Sequence, residues 1–597
     1  MRKLGLNRNG IFIVMSILLV TKILGFIKLR TIAQLFGVSH ELDIFWAAFT
    51  IPDMLFTIIV AGSLNAAIIP IFSEVLYKEG KDRLDKFFNH LSLLLSILCI
   101  IFAGLFFIFT PQITNWIIGS DTLQKALNFT QKINSEDVDL FVSITRITLL
   151  SPILLGFSSI VTGYLQVKKQ FFVTSLAPLF YNLALIIGPI IFVAFGNMGV
   201  EGIAISAVLG SLLHLIVQLP SFFSDYKQKY SVSFKTFKEA IKDSKVTKAV
   251  RLAIPRTISI IGEQINTVVN TLISFSLASG ALSSYKYALS LHQFPINIIG
   301  SAVAQLALPD LAQYSDPEHR EKFKKIFNSS VQFALYLVLP MIAIFVVLRL
   351  PIVRLIYGSG AFDWRATILT SWCLVLLSFS ILGQTIDQII LRAFYALKET
   401  WLPLIGIGIS IVVNIAVAYF LTNFFSHYYD WRPILQQMLS QISVADIAGF
   451  WEVFRSFFQD FARWCTNRGD SDMAVGGLSL GLGLSYMVEV LILYLLLNAK
   501  TKIITFNNTV KPFLIKFLNA LLMGIGMYLL FRLFDFKLDT SRTMYIIVLT
   551  VLTSGYGVLS YWIGSRVFKI EEVYIFEKWI KKMWTKIFRG KENEESL

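Results

Sequence analysis

The sequence predicts an all-α polytopic membrane protein with about fourteen transmembrane helices. Three observations carry that prediction. The 597-residue chain is 55% hydrophobic and only 15% charged, with a mean hydropathy of +0.67, whereas soluble domains carry charge at about 25% of positions. Apolar stretches of about 20 residues, long enough to cross a hydrocarbon core, recur along the chain with no soluble domain between them. The Lys and Arg residues gather in short connections beside these stretches, as the positive-inside rule requires.

Spans can be drawn near 10–36, 43–72, 88–110, 138–167, 171–195, 198–222, 247–278, 283–310, 328–349, 364–394, 402–423, 473–497, 510–532 and 542–565. The start, with Arg2, Lys3 and Arg8 ahead of Ile11–Val20, mimics a signal peptide. No small-residue cleavage site follows and the apolar run continues past Lys22, so it reads as a retained first helix. With a cytoplasmic N-terminus, the inside connections hold nearly every dense cluster: Lys78 to Lys86, Lys168 with Lys169, Lys227 to Lys248, Arg320 to Lys325, Lys500 with Lys502, and the tail from Arg566. The expected topology is therefore multi-pass, with both termini cytoplasmic. The net charge of +15 belongs to this topology, and no nucleic acid partner is expected.

The loop from Ser224 to Lys248 holds seven lysines and separates six helices from the next six. A weak internal echo joins the halves: Gly62-Ser63 with Ile69-Pro70 resembles Gly300-Ser301 with Leu308-Pro309. Two six-helix halves of equal orientation are a common transporter plan, with substrate held between them. The expected organisation is an N-lobe over residues 1–222, a basic cytoplasmic linker over 223–250, and a C-lobe over 251–497 with an amphipathic outer insertion at 424–472. Two further helices lie within 498–565, followed by a basic amphipathic tail over 566–597.

In the insertion, Ile447, Phe450, Trp451, Phe454, Phe457, Phe458 and Phe461 recur at helical spacing, with Glu452, Arg455, Asp460 and Arg463 elsewhere. Such a helix either lies in the membrane interface or packs over the lobe. The tail repeats the pattern, with Phe576, Ile580, Met583 and Ile587 against Lys578, Lys581, Lys582, Lys586 and Arg589, which suits an anionic leaflet.

Ionisable residues within spans are functional candidates by default: Lys22, Lys28, Arg30, Asp43, Asp53, Arg146, Glu201, Arg256, Glu263, Asp387, Arg392 and Glu489. For Arg146, Glu201, Arg392 and Glu489 the plainer expectation is snorkelling to the headgroups. Lys22 and Lys28 stand about 120° apart around one helix, so they can border a wide cavity; the plainer alternative is an internal salt bridge, with Asp43 a candidate partner. A cationic cavity suits an anionic ligand, with lysine as a point-charge phosphate partner, and the surroundings point to a lipid.

Other chemistries find no footing. Cys99, Cys373 and Cys465 are scattered, the six histidines never fall at metal-ligand spacing, and no cofactor is expected. P-loop, GxSxG and kinase motifs are lacking. Gly476 to Ser485, GGLSLGLGLS, falls inside an apolar span, where small residues allow close helix packing. Asp430, Asp446, Asp460, Asp470 and Asp472 could serve a membrane glycosyltransferase, but capping and solvation explain them as well.

Several stretches resemble a known family. TKILGFIKLRTIAQLFG, then Asp43 and FWAAFTIPDML, is similar to the first two helices of the MurJ (MviN) family of lipid II flippases, worded SRVLGFxRDxxxAxxFG…DAFFVAFxxPN. LAPLFYNLALIIG (Leu176 to Gly188), the stretch from Gly199 to Pro220, SGAFD (Ser359 to Asp363) and LRAFYALKET (Leu391 to Thr400) follow in the family's order, so the resemblance spans about Met15 to Leu497.

The resemblance implies the multidrug/oligosaccharidyl-lipid/polysaccharide exporter fold: two six-helix lobes in a V around a cationic cavity, plus two C-terminal helices forming a lipid-tail groove. It implies a transporter rather than an enzyme. Its partners are undecaprenyl-diphosphate-linked muropeptide (lipid II) or a related lipid-linked glycan, membrane lipids and the cell wall synthesis machinery. Movement is from the inner to the outer leaflet by alternating access. Family arginines in the first helix match Lys22 and Lys28, and the aspartate opening helix two matches Asp43.

Other family arginines are replaced by Phe56 or Thr57 and by Ser290 in YALSLHQFP, and an acid by Gln293. Lysine for arginine also loses bidentate oxyanion binding. Lys286, His292, Arg30 and Arg256 are candidates for compensation. The expected substrate-binding set is thus Lys22, Lys28, Asp43, Arg30, Arg256, Ser290 and Gln293. The alternative cargo is another polyprenyl-linked polysaccharide or teichoic acid unit or, more remotely, the activity is ion-coupled drug antiport. Asp387, Glu263 and Asn414 either hold a cation or bridge helices.

Overall fold

The computed structural model describes residues 8–61, 64–131, 133–226, 232–399, 401–427, 436, 439–440, 447–503, 506–538 and 542–578; within these, the side chains of 8–12, 61, 64–68, 255–256, 259, 447–450, 460 and 507 are not described. Among the described residues the structure is helical throughout, with no strand.

The principal helices are α1 (Arg8–Phe36), α2 (His40–Phe56), α3 (Leu64–Glu79), α4 (Lys81–Thr114), α5 (Ser135–Thr148), α6 (Leu150–Val167), α7 (Phe171–Pro189), α8 (Glu201–Ile216) and α9 (Ser244–Phe275). They continue as α10 (Ala281–Pro295), α11 (Ser301–Gln313), α12 (Arg320–Val347), α13 (Trp364–Ala396), α14 (Leu402–His427), α15 (Ile447–Thr466), α16 (Val475–Thr501), α17 (Lys511–Lys537) and α18 (Thr543–Val567).

Among the described residues, 12 helical stretches are long and apolar enough to cross a membrane. Two expected spans, α1 with 29 residues and α9 with 32, are not among those 12. Both load charge onto a long helix: Lys22, Lys28 and Arg30 in α1, and Lys245, Lys248, Arg251, Arg256 and Glu263 in α9. Gly62 and Ser63 of the internal echo lie outside the described residues, and π-type turns occur at Asn115–Gly119, Ile190–Phe195 and Phe506–Val510 as well as in the two halves of the echo. A wide π-type turn at Thr57–Ala61 follows α2, and another at Ile296–Gly300 follows α10.

The chain divides into two compact units. The first comprises Met1–Lys286, Ile356–Leu369 and Tyr419–Leu478; the second comprises Tyr287–Leu355, Thr370–Ala418 and Ser479–Leu597. The first is built round an aromatic cluster in which Phe88 lies 5.3 Å from Tyr164 and 4.8 Å from Phe222. Offset and edge-on ring packing of this kind stabilises beyond area burial alone. The basic linker is docked here. Asp243 caps α9 by accepting from the Lys245 amide at 3.0 Å and is gripped by both Arg83 Nη atoms at 2.9 and 2.7 Å. His90 Nδ1 lies 2.8 Å from the same carboxylate. Lys248 and Lys245 reach Glu74 at 2.6 and 3.4 Å, and these two lysines hold the Glu74 carboxyl down at about 2.

The second unit packs Phe323, Phe327, Ile389, Phe394, Leu493 and Met527 into one core. Lys516 is 2% exposed, with its ammonium satisfied by Gln332 Oε1 and Glu572 Oε1, both at 2.7 Å. Glu489 is 5% exposed, buried in protein rather than snorkelling. The glycine cluster of α16 does allow close packing: a Cβ on Gly481 would sit 2.7 Å from the Ala418 Cα. Of the basic tail, residues 571–578 are helical; Ile580, Met583, Ile587 and their neighbouring cations lie outside the described residues.

Candidate functional site

A lysine at the middle of an apolar helix needs a polar surrounding, and α1 supplies one at Lys28. Its ammonium sits 5.9 Å from the centre of the Tyr181 ring, within the range of a cation–π contact. Tyr181 comes from α7, which α1 packs against; Asn182 Nδ2 donates to the Thr21 carbonyl at 3.2 Å and fixes that pairing.

Tyr181 and Asp53 line one cavity of about 310 Å³, together with Phe49, Ser151, Pro178 and His214. Pro52, inside α2, precedes Asp53 directly. Lys286 of α10 and Lys28 of α1 are the cations that act on Asp53 at a distance, without a direct ion pair among the described residues. Lys286 is half-buried and donates to Thr271 Oγ1 of α9 at 3.4 Å. Five helices, α1, α2, α7, α9 and α10, thus converge on two lysines and one aspartate beside open space. Two lysines so placed have the chemistry to hold the oxygens of an anion.

Asp43 stands apart from this cavity. It is 0% exposed, and its carboxylate accepts from the Gly280 and Ser283 amides, each at 2.7 Å, and from Ser283 Oγ at 2.6 Å. Those amides open α10, so Asp43 caps a helix more than two hundred residues away, where orphan N–H groups favour an anion. It partners neither Lys22 nor Lys28 in an ion pair; its bonds are to neutral donors.

Asp43 belongs to a seam that runs on through glycines. Gly280 has φ +86 and a Cβ there would meet the Val38 carbonyl oxygen at 2.7 Å; Gly360 has φ +57 and its Cβ would meet the Gln34 oxygen at 2.4 Å. Only glycine reconciles that backbone conformation with that approach. The Ala361 amide then donates to the Gln34 carbonyl at 2.9 Å, and Arg30 Nη1 donates to the Ile356 carbonyl at 3.3 Å. Arg30 is therefore a seam residue in this structure.

The remaining candidates are dispersed. Lys22 is exposed. Arg256 lies on α9, with its side chain outside the described residues. In the second unit, Ser290 Oγ donates to the Tyr287 carbonyl at 2.9 Å, and Gln293 Nε2 reaches Gln384 Oε1 at 3.5 Å. His292 is fully buried against Ser380 and Gln384, so it serves the core and supplies no cavity charge. Sequence reasoning set Asp53 among the intramembrane charges but left it out of the binding set, and it passed over Tyr181. The signal for Asp53 was available, since the family wording has asparagine after the proline where this chain has the acid.

Known proteins are similar to this chain over much of its length. "Probable lipid II flippase MurJ" of Rhizobium meliloti is 25% identical over 401 residues, covering 67% of this chain and 72% of its own length. The protein of that description from Rickettsia prowazekii is 28% identical over 412 residues, with 68% and 77% covered. "Lipid II flippase MurJ" of Burkholderia cenocepacia is 22% identical over 404 residues, with 67% and 75% covered. A solved structure described as "Lipid II flippase MurJ, inward closed conformation" shares the fold at a TM-score of 0.66 and 22% identity, covering 93% of this chain and 98% of that one. An inward-facing multidrug resistance MATE family transporter of the MOP superfamily superposes at 0.58 with 14% identity, covering 82% and 98%. The family described as lipid II flippase MurJ matches residues 32–429, about two thirds of the sequence, and the chain belongs to that family.

Proposed function

We propose that this protein is a flippase that carries the lipid-linked peptidoglycan precursor lipid II from the inner to the outer leaflet of the bacterial cytoplasmic membrane. The observation that carries the reading is the Lys28–Asp53–Lys286 cluster beside a cavity, in a chain of the lipid II flippase family. Lys28 and Lys286 bind the diphosphate, with Lys22 and, by its sequence, Arg256 as further candidate cations. Asp53 is the counter-charge of the two lysines between cargoes and competes with an incoming anion for them. The chain acts as a transporter and catalyses no bond change.

A basic linker docked on α3 and α4 fits a cytoplasmic inner face with both termini inside, by the positive-inside bias. On that orientation, the seam of Asp43, Gly280 and Gly360 is the outer gate. It must part when the cavity opens outward, and cargo drives that change only by binding the two states differently. Residues 1–222 and 251–497 serve as the two rocking lobes, and the helices within 498–565 receive the polyprenyl tail.

Lysines where the family has arginines, together with the acid at Asp53, favour a second reading in which the cargo is another polyprenyl-linked glycan. Complementation of a bacterium depleted of its own lipid II flippase separates the two. Rescue of growth with the precursor exported supports lipid II; precursor retained in the inner leaflet, with the protein present in the membrane, contradicts it.

A further inference from the structure

The helix α15 and the connection after it lie beyond residue 429, where the match to the family ends. Among its residues, Trp451, Phe454, Phe458 and Phe461 are 64%, 39%, 52% and 38% exposed. At 100° per residue they fall within an arc of about 80°. Glu452, Gln459 and Arg463, all exposed, face away from the stripe, and Arg455, also exposed, flanks it. An exposed aromatic stripe of this size is not a feature of a surface facing water alone.

Two observations say what covers it. The stripe adjoins the end of an apolar helix: α14 is long and apolar enough to cross a membrane, and near its C-terminal end it exposes Phe420. Where α14 ends, Phe424 meets Phe461 at 5.4 Å and Trp464 at 6.5 Å between ring centres. The C-terminal end of α15 is therefore fixed at the level where the spanning helix leaves the hydrocarbon, the depth at which aromatic side chains are enriched.

That end is also rigidly built. Arg468 donates through Nη1 to the Asn128 carbonyl at 2.9 Å and to Ser276 Oγ at 2.8 Å, and through Nε to Asn423 Oδ1 at 3.2 Å. The Gly469 amide donates to Ser426 Oγ at 2.7 Å. One guanidinium thus ties the foot of α15 to the loop before α5, to the residue ending α9 and to α14. Ser276 lies four residues from Gly280, within the same connection that carries the Asp43 contact.

We propose that α15 is an interfacial helix whose aromatic face enters the headgroup–acyl boundary of the bilayer, and that the Arg468 clamp transmits its seating to the seam at Gly280. The occupant of the surface is lipid; a second copy of the chain is the competing outcome. The proposal does not depend on the identity of the cargo.

The test uses the full chain in phosphatidylglycerol/phosphatidylcholine nanodiscs with Phe458→Cys or Gln459→Cys carrying an environment-sensitive fluorophore; the three native cysteines are buried. A label at 458 should be blue-shifted and quenched several-fold more by lipids brominated near the headgroup than a label at 459. Equal quenching and equal water exposure at both sites would overturn the proposal, as would efficient 458–458 disulfide formation between molecules. Trp451→Ser with Phe458→Ser should raise amide exchange at Gly280 and Ser283 several-fold; unchanged exchange there would remove the coupling to the seam.

Discussion

Asp43 and Ser283 are joined twice, through the Ser283 amide at 2.7 Å and its hydroxyl at 2.6 Å, across 240 residues of sequence. A buried carboxylate tolerates the loss of water because three donors replace it, and the donors tolerate burial for the same reason. Asp43→Ala leaves two backbone N–H groups without an acceptor, at about 1–3 kcal/mol each. The thermal midpoint of the purified protein should fall by several degrees, and the shift for Ser283→Ala, which removes one hydroxyl donor, should be about half as large or less. Equal, negligible shifts would mean the seam is not held here.

Gly360→Ala tests the same seam by sterics. Its φ of +57 and the 2.4 Å approach to the Gln34 oxygen force the two segments apart, at a cost of about 1 kcal/mol or more for the backbone conformation alone. Disulfide trapping between cysteines placed at Gln34 and Ala361 should drop several-fold in the alanine variant. Undiminished trapping would show that the segments separate without strain.

Asp53→Asn removes a carboxyl on which both Lys28 and Lys286 act and makes the local charge more positive. At an effective dielectric near 20, a unit charge several ångströms from a diphosphate changes its binding by about 1–2 kcal/mol, up to roughly tenfold. Affinity for inorganic pyrophosphate, measured by calorimetry, should rise in the variant, and its salt dependence should steepen. A weaker affinity would assign Asp53 to holding the lysines in shape rather than competing with the ligand.

Legibility in the sequence followed the physics of each feature. Apolar length reports a crossing helix directly, so most spans fall where the hydropathy places them. α1 and α9 also form where the sequence places them, and their charges mark them as the functional candidates among the long helices. Lys28 was visible as a candidate because ammonium groups are costly in hydrocarbon. Asp43 was equally visible, but its partners Gly280 and Ser283 contribute backbone amides, which have no residue signature, so its role as a helix cap could not be read. Asp53 and Tyr181 needed the meeting of α1, α2 and α7, a tertiary fact. The buried state of His292 and Glu489 likewise depends on which face of a helix packs, and a uniformly apolar helix does not disclose that.

The docked linker carries a pH dependence with a definite sign. Burial raises the Asp243 carboxyl, but hydrogen bonds from Arg83, His90 and the Lys245 amide outweigh it and bring it from 3.8 down to about 2. A lowered carboxyl contributes stability that is complete above 3.8 and lost as pH falls through about 2. The contribution is about 2 kcal/mol, so Asp243→Asn should lower the thermal midpoint throughout pH 5–8. The gap between variant and parent should narrow below pH 4. A gap that widens in acid would contradict the assignment.

The most direct test of the whole account is transport by Lys28 variants. In a flippase-depleted strain, the fraction of lipid-linked precursor accessible at the outer leaflet should recover with the parent chain and with Lys28→Arg. It should stay at least about tenfold lower with Lys28→Ala, although that variant reaches the membrane in equal amount. Full recovery of precursor export by Lys28→Ala would mean that the cation beside Tyr181 and Asp53 does not carry the diphosphate.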